Sequence, residues 1–257
     1  MTSTSENNIH LHFGKGNGKF QTGLTYSTGF GPMFLVSGDF NNDKHLDLAV
    51  VNSDNGTISV LLGHGDRTFG MQVSYPTGEN PSCIITADLN NDDKLDLAVT
   101  NYRNNTISVL LGNGDGTFRS QMMYPTDYEP SFLVSRDFNN DSNLDLAVAN
   151  SANNSVSILL GNGKGEFRLH ATYLTGNLPV SLTAADFNQD NQLDLAVANK
   201  DDNNVRVLLG NGDGTFKTQK TFATGSSPSY VISYDFNNDT QLDLVLANSD
   251  DHTVSVL

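Results

Sequence analysis

Tryptophan is absent and cysteine occurs once, as Cys83. A lone cysteine excludes an intrachain disulfide. Cys83 lies in the strand-like run Ser82-Cys83-Ile84-Ile85 and reads as a small buried hydrophobe. Basic residues are scarce: 14 Lys and Arg stand against 29 Asp and Glu, for a net charge of −15. No basic patch is present to neutralise phosphates, so nucleic acid is not an expected partner. No apolar run approaches the length that crosses a bilayer, so no membrane insertion is expected. Met1 to Glu6 has no basic end and no apolar core, so it is not a secretory signal. That leaves a cytoplasmic protein or a piece of a longer, secreted chain. Enzyme signatures are missing too: there is no HExxH, no GxSxG and no Cys/His pair, and the six histidines occupy unrelated positions. The chain is not expected to be an enzyme. No window of it shows helical periodicity.

What is present is a repeat. The stretch Asp39-Phe40-Asn41-Asn42-Asp43-Lys44-His45-Leu46-Asp47 recurs with starts at Asp88, Asp137, Asp186 and Asp235, each 49 residues after the last. A fixed period in this range signals a stacked or radial repeat architecture. Every copy reads Asp-x-Asn-x-Asp-x-x-Leu-Asp, with acidic or amide side chains at loop positions 1, 3, 5 and 9. Odd spacing in a tight loop turns these oxygens toward one point. Carboxylates gathered there repel each other unless a hard cation joins them, and calcium takes six to eight oxygen ligands. The candidate ligands are Asp39, Asn41, Asp43, His45 and Asp47; Asp88, Asn90, Asp92, Lys94 and Asp96; Asp137, Asn139, Asp141, Asn143 and Asp145; Asp186, Asn188, Asp190, Gln192 and Asp194; and Asp235, Asn237, Asp239, Gln241 and Asp243. Position 7 contributes its backbone carbonyl, so its side chain is free to vary. Up to five Ca²⁺ are expected. Asp and Asn also form turns without any metal, but that explains poorly why positions 1, 3, 5 and 9 recur while position 6 drifts. Positions 1, 5 and 9 of the five loops hold 15 of the 29 acidic residues. Five calcium ions would bring the charge from −15 to −5, so much of the acidity reads as ligand charge. The flanking runs, Phe34 to Val36 and Leu46 to Val50, read as strands and not as the helices of an EF-hand.

From Pro32 one full repeat can be followed. Met33 to Ser37 is a short strand, and Leu46 to Val51 is a second, apolar on both faces and therefore central. After the polar turn Ser53 to Gly56, Thr57 to Leu62 alternates like a half-buried strand. The glycine-rich stretch Gly63 to Phe69 reads as a hairpin, and Phe69 to Tyr75 as a fourth strand. Four strands per repeat fit one blade of a β-propeller. The expected fold is therefore all-β: a single β-propeller over 1–257 with four-stranded blades and 49-residue repeats starting at 32, 81, 130 and 179. Partial blades fall at 1–31 and 228–257. Five blades close if Phe20 to Tyr26 joins the C-terminal strands, with a spare strand (Ile9 to Phe13 or Thr253 to Leu257) left to fray, sit at the edge or pair with another chain. The other reading is an excised part of a longer array.

The unit Asp186 to Asn199, followed by Val205 to Phe216, resembles the FG-GAP/VCBS repeat, which builds the propeller of integrin α subunits, many surface proteins and some fungal lectins. The resemblance covers nearly the whole chain. It implies a calcium-loaded propeller acting in adhesion or ligand binding, with ligands at loop positions 1, 3, 5, 7 and 9. That family often has Gly at position 6, which suits a left-handed backbone; here position 6 is Lys44, Asp93, Ser142, Asn191 or Thr240. A β-branched Thr240 is expected to be strained there.

Two function classes stay open: an extracellular binding module for a protein or glycan, and a structural spacer or assembly unit. Repeat-breaking residues that would mark a ligand site are Tyr102-Arg103, Asp127-Tyr128-Glu129 and Asn177-Leu178. Tyr26, Tyr75, Tyr124, Tyr173 and Phe222 recur every 49 residues; they either stack sugars or pack between blades. Asn55, Asn104 and Asn153 begin glycosylation sequons on one turn type. Placement outside the cell is favoured, because five weak sites are filled only at millimolar calcium.

Overall fold

The computed structural model describes residues 1–217 and 220–257. Its regular elements are all strands, arranged in six antiparallel sheets. The first sheet holds Thr2–Ser3, Asn8–Gly14 and Phe20–Ser27. Four four-stranded sheets follow. The second holds Pro32–Gly38, Asp47–Asn52, Thr57–Leu61 and Val73–Pro76. The third holds Pro81–Ala87, Asp96–Asn101, Thr106–Leu110 and Met122–Pro125. The fourth holds Pro130–Arg136, Asp145–Asn150, Ser155–Gly161 and Phe167–Leu174. The fifth holds Pro179–Ala185, Asp194–Asn199, Asn204–Leu208 and Lys220–Ala223. Pro228–Tyr234, Asp243–Asn248 and Thr253–Val256 form the last, three-stranded sheet.

Asp47–Asn52, Asp96–Asn101, Asp145–Asn150 and Asp194–Asn199 are buried over their whole length. Their apolar side chains alternate between two neighbours. Leu48 and Val50 pack with Ile9 of the first sheet, whereas Ala49 and Val51 pack with Ile84, Leu97 and Val99 of the third. Each buried Leu, Val or Ile among them contributes about 1.5–3 kcal/mol, which is why both faces must be apolar.

The chain divides into two compact units, residues 1–88 with 92–123, and residues 89–91 with 124–257. The first contains the core around Phe40, Ile58, Leu97 and Phe118. The second contains the core around Phe138, Ile158, Leu195 and Phe216.

The structure departs from the sequence reading in two respects. The fourth strand is shorter than Phe69 to Tyr75: only Val73–Pro76 is regular. Phe69 makes an isolated bridge to Gly63, Gly70 donates to the Leu62 carbonyl at 2.8 Å, and the Gln72 side chain takes the Ser59 hydroxyl instead of continuing the ladder. Phe20 to Tyr26 does not join the C-terminal strands. It pairs with Asn8–Gly14, its neighbour in the chain, in the first sheet. Six sheets therefore stand where five blades were expected.

Candidate metal centre

Each acidic loop wraps around its own backbone amides. In the first loop Asp39 accepts the N–H of Asp43 (3.1 Å) and of Lys44 (2.8 Å). Asn41 Oδ1 accepts Asp43 N–H at 3.1 Å, and Asp43 Oδ1 accepts His45 N–H at 2.8 Å. The last of these bonds holds the Asp43 carboxyl below its ordinary range. Asp137, Asn139 and Asp141 repeat the pattern toward Asp141, Ser142 and Asn143. Asp186, Asn188 and Asp190 do so toward Asp190, Asn191 and Gln192, and Asp235, Asn237 and Asp239 toward Asp239, Thr240 and Gln241. In the second loop Asp88 accepts Asp92 and Asp93 N–H, and Asp92 accepts Lys94 N–H. Asn90 occupies position 3 of that loop and is half-buried.

The wrap needs left-handed backbone twice per loop. Position 4 has φ of 58° at Asn42, 58° at Asn91, 57° at Asn140, 61° at Gln189 and 61° at Asn238. Position 6 has 70° at Lys44, 61° at Asp93, 68° at Ser142, 62° at Asn191 and 68° at Thr240. The strain expected at Thr240 is therefore real: a branched side chain sits in a region that costs L-residues about 1–2 kcal/mol.

Position 9 has a second task that the sequence reading missed. Asp47, Asp96, Asp145 and Asp194 are fully buried. Asp47 accepts Phe40 N–H (2.8 Å) from its own loop and Gly63 N–H (2.7 Å) from the glycine hairpin. Asp145 bolts Phe138 and Gly161 in the same way, and Asp194 bolts Phe187 and Gly210. Asp96 holds Gly112, and Asp243 holds Phe236. The hairpin must start on glycine because a Cβ at Gly63 would meet the Leu46 carbonyl oxygen at 2.3 Å. Burial pushes the Asp145 carboxyl up to about 6, against the pull of its two N–H bonds, with the charges of Asp141 and Asp137 adding to the rise. Asp47 and Asp194 shift upward for the same reasons.

Among the described residues, no three acidic, histidine or cysteine side chains form a ready-made metal cage. The donors still fit a hard divalent cation. They are all oxygens, each carboxylate oxygen bound to one N–H keeps a second lone pair, and loop carboxylates raise one another's cost of ionisation. The period-49 tyrosines prove to be packing groups. Tyr26, Tyr75 and Tyr173 meet Phe69, Phe118 and Phe216 edge-on at 5.5–5.6 Å, and the Tyr26 and Tyr173 hydroxyls accept Phe69 and Phe216 N–H at 3.0 Å.

The turn that follows the second strand lies at the other end of that strand from the acidic loop. In the first unit this end opens into a cleft of about 920 Å³ lined by Asp54, Asn55, Gly56, Glu79, Asn80 and Arg103, among others. Of the repeat-breaking candidates, Arg103 faces this cleft. Asp127 is occupied with Asn153 and Ser155, Asn177 with Asp202, and Leu178 N–H with Asn154.

Antiparallel sheets repeated with an acidic loop before the second strand and a glycine hairpin after the third define a repeat protein of the β-propeller kind. The model of the FG-GAP-like repeat matches residues 39–99, 88–148, 137–197 and 186–246, and the chain belongs to that family. No curated protein sequence matches it. Solved structures show the same fold at low identity. A putative 6-phosphogluconolactonase from Bacteroides fragilis superposes with a TM-score of 0.73 at 15% identity, covering 97% of this chain and 72% of that one. A functionally unknown protein from Desulfotomaculum acetoxidans gives 0.71 at 12%, covering 100% and 77%. A lectin from Agrocybe aegerita gives 0.62 at 17%, covering 94% and 69%.

Proposed function

We propose that the chain is a calcium-stabilised β-propeller, one blade per sheet, that works outside the cell as an adhesion or ligand-binding module for a protein or glycan and not as an enzyme. The five-bladed closure is set aside, because it would have to pull Phe20–Ser27 out of its pairing with Asn8–Gly14. The observation that carries the calcium reading is the five-fold loop itself. Asp and Asn oxygens at positions 1, 3, 5 and 9 recur on one left-handed backbone pattern, beside buried carboxylates whose charges oppose each other. Asp39, Asn41, Asp43, Asp47 and the His45 carbonyl would hold the first ion, and their counterparts the other four. The ion would supply positive charge and rigidity, with no chemical step. The Agrocybe aegerita lectin recognises non-reducing terminal N-acetylglucosamine, which supports a glycan as one ligand class.

At free calcium ten times Kd each site adds about 1.4 kcal/mol, so five add about 7 kcal/mol, comparable to a whole domain's stability of about 5–15 kcal/mol. Extracellular calcium sites work at about 0.1–1 mM, so cytosolic levels would leave them empty; hence the extracellular placement. The test is thermal unfolding in 1–2 mM calcium, about the Kd range of such sites or above, and again in EDTA with magnesium. A large calcium-specific rise in melting temperature is expected. Equal melting in both would refute the metal sites and the localisation together.

A further inference from the structure

The turn between the second and third strands ends on an asparagine with left-handed backbone: Asn7 (φ 55°), Asn154 (53°) and Asn203 (52°). Its carboxamide oxygen accepts the N–H of the residue 24 positions on: Gly31 at 3.1 Å, Leu178 at 2.9 Å and Ser227 at 2.8 Å. Its backbone carbonyl accepts a second N–H, from Thr28, Thr175 or Thr224. This clamp ties the turn of one sheet to the loop entering the next.

In the second sheet the asparagine is replaced by Gly56. The backbone is unaltered: Gly56 has φ 61°, its carbonyl accepts Thr77 N–H at 2.9 Å, and Asn80, which takes the place of Leu178, has φ 51°. Only the carboxamide is gone. Among the described residues the Asn80 N–H has no acceptor, and the room opens into the 920 Å³ cleft. Asn80 is half-buried and lines the cleft, so this donor is open to solvent and to a ligand's acceptor. Glu79 stands where Asn177 stands in the fourth-to-fifth connection, and there Asn177 Oδ1 accepts from the Asn154 carboxamide nitrogen at 3.1 Å.

We propose that this cleft binds a ligand carrying an acetamido group, specifically an N-acetylated sugar. This rests on the ligand-binding reading above and gives it a location. The acetamido group replaces the missing carboxamide atom for atom: its carbonyl accepts the Asn80 N–H and its N–H donates to the Glu79 carboxylate. Glu79 and Asp54 set the cleft against anions, with Arg103 the single cation of its lining. The exposed Met123 offers an apolar surface for the C–H face of a sugar ring, while Asp54, Asn55 and Arg103 supply donors and acceptors for hydroxyls. The volume suits a ligand larger than one acetamide.

The experiment is an NMR titration of the ¹⁵N-labelled full chain in calcium with N-acetylglucosamine, glucose and N-acetyl-lysine methyl ester. The Asn80 amide is expected to shift saturably with N-acetylglucosamine and not with glucose. Gly56→Asn is expected to rebuild the clamp, slow Asn80 amide exchange to the level of Leu178 and Ser227, and weaken binding at least about tenfold, the worth of one hydrogen bond of about 1.4 kcal/mol. Gly56→Ala adds no acceptor; its Cβ would stand at φ 61° and 3.0 Å from the Gly78 carbonyl oxygen, so its fold is checked by melting, and the folded variant is expected to bind within a few-fold of wild type. Equal response to glucose, or undiminished binding by a folded Gly56→Asn, overturns the site. A preference for the acetyl-lysine ester over the sugar overturns the sugar assignment. N-acetylglucosamine shifting other residues while Asn80 stays still leaves the ligand-binding reading intact and refutes this cleft; failure of the calcium melt refutes the metal sites and the placement outside the cell and leaves the cleft untouched.

Discussion

Replacing Asn101 by alanine tests how the loop end of the first unit is held. Asn101 is fully buried at the end of its strand. Its oxygen accepts Gly78 N–H at 2.9 Å, and its amide donates to Thr106 Oγ1 at 3.0 Å and Ser108 Oγ at 2.8 Å. Alanine removes all three bonds. The Gly78 N–H loses its acceptor, at about 1–3 kcal/mol for a buried unpaired group. The two hydroxyls cost less, since Ser108 still reaches Gln121 at 2.5 Å. The sum is about 3 kcal/mol, which for a chain of this size lowers the melting temperature by about 6–12 °C. Calorimetry in calcium measures it. Asn104→Ala is the control: Asn104 is exposed and holds only Glu79 N–H, so about 0.5–1 kcal/mol is expected. Because the Gly78 N–H is held by Asn101, Asn101→Ala should also accelerate exchange of the Gly78 amide. An Asn101→Ala protein melting within about 2 °C of wild type, below the shift expected for a single kcal/mol, would refute the reasoning.

Thr240→Asn should stabilise the last loop by about 1 kcal/mol, since asparagine accepts the left-handed region that threonine resists; a lowered melting temperature in EDTA would count against it. The metal-free protein should also lose stability as pH rises from 5 to 7. Asp145, with its carboxyl raised from an ordinary 3.8 to about 6, is harder to ionise folded than unfolded. Its contribution is therefore complete below pH 3.8 and is lost as pH climbs through 6. Asp47 and Asp194 act in the same direction, while the lowered carboxyls Asp43, Asp66, Asp115 and Asp213 are already ionised across this interval. A melting temperature in EDTA that is flat or rising between pH 5 and 7 would contradict this.

The sequence alone determined the period, the acidic loops, the glycine hairpins and the two-faced central strand. These are local or strictly periodic signals: Ala49-Val50-Val51 must be buried on both sides whatever packs there, and Asp39 reaches amides only four and five residues on. Family membership was legible for the same reason. Even the awkward backbone at Thr240 was visible, because it follows from loop position. The tertiary structure decided everything that depends on partners far along the chain. Asp47 reads as a ligand from its spacing, yet it is also a bolt to Gly63, 16 residues away. Asn101 holds Gly78, 23 residues back, a bond between positions too far apart in the chain for local pattern to show. Phe20–Ser27 pairs with its own hairpin and not with the far end of the chain. Gly56 looks like any turn glycine until its neighbours reveal the carboxamide that is missing there. Periodicity specifies what each repeat must bury, but an unpaired donor exists only relative to the acceptor that folding fails to bring to it.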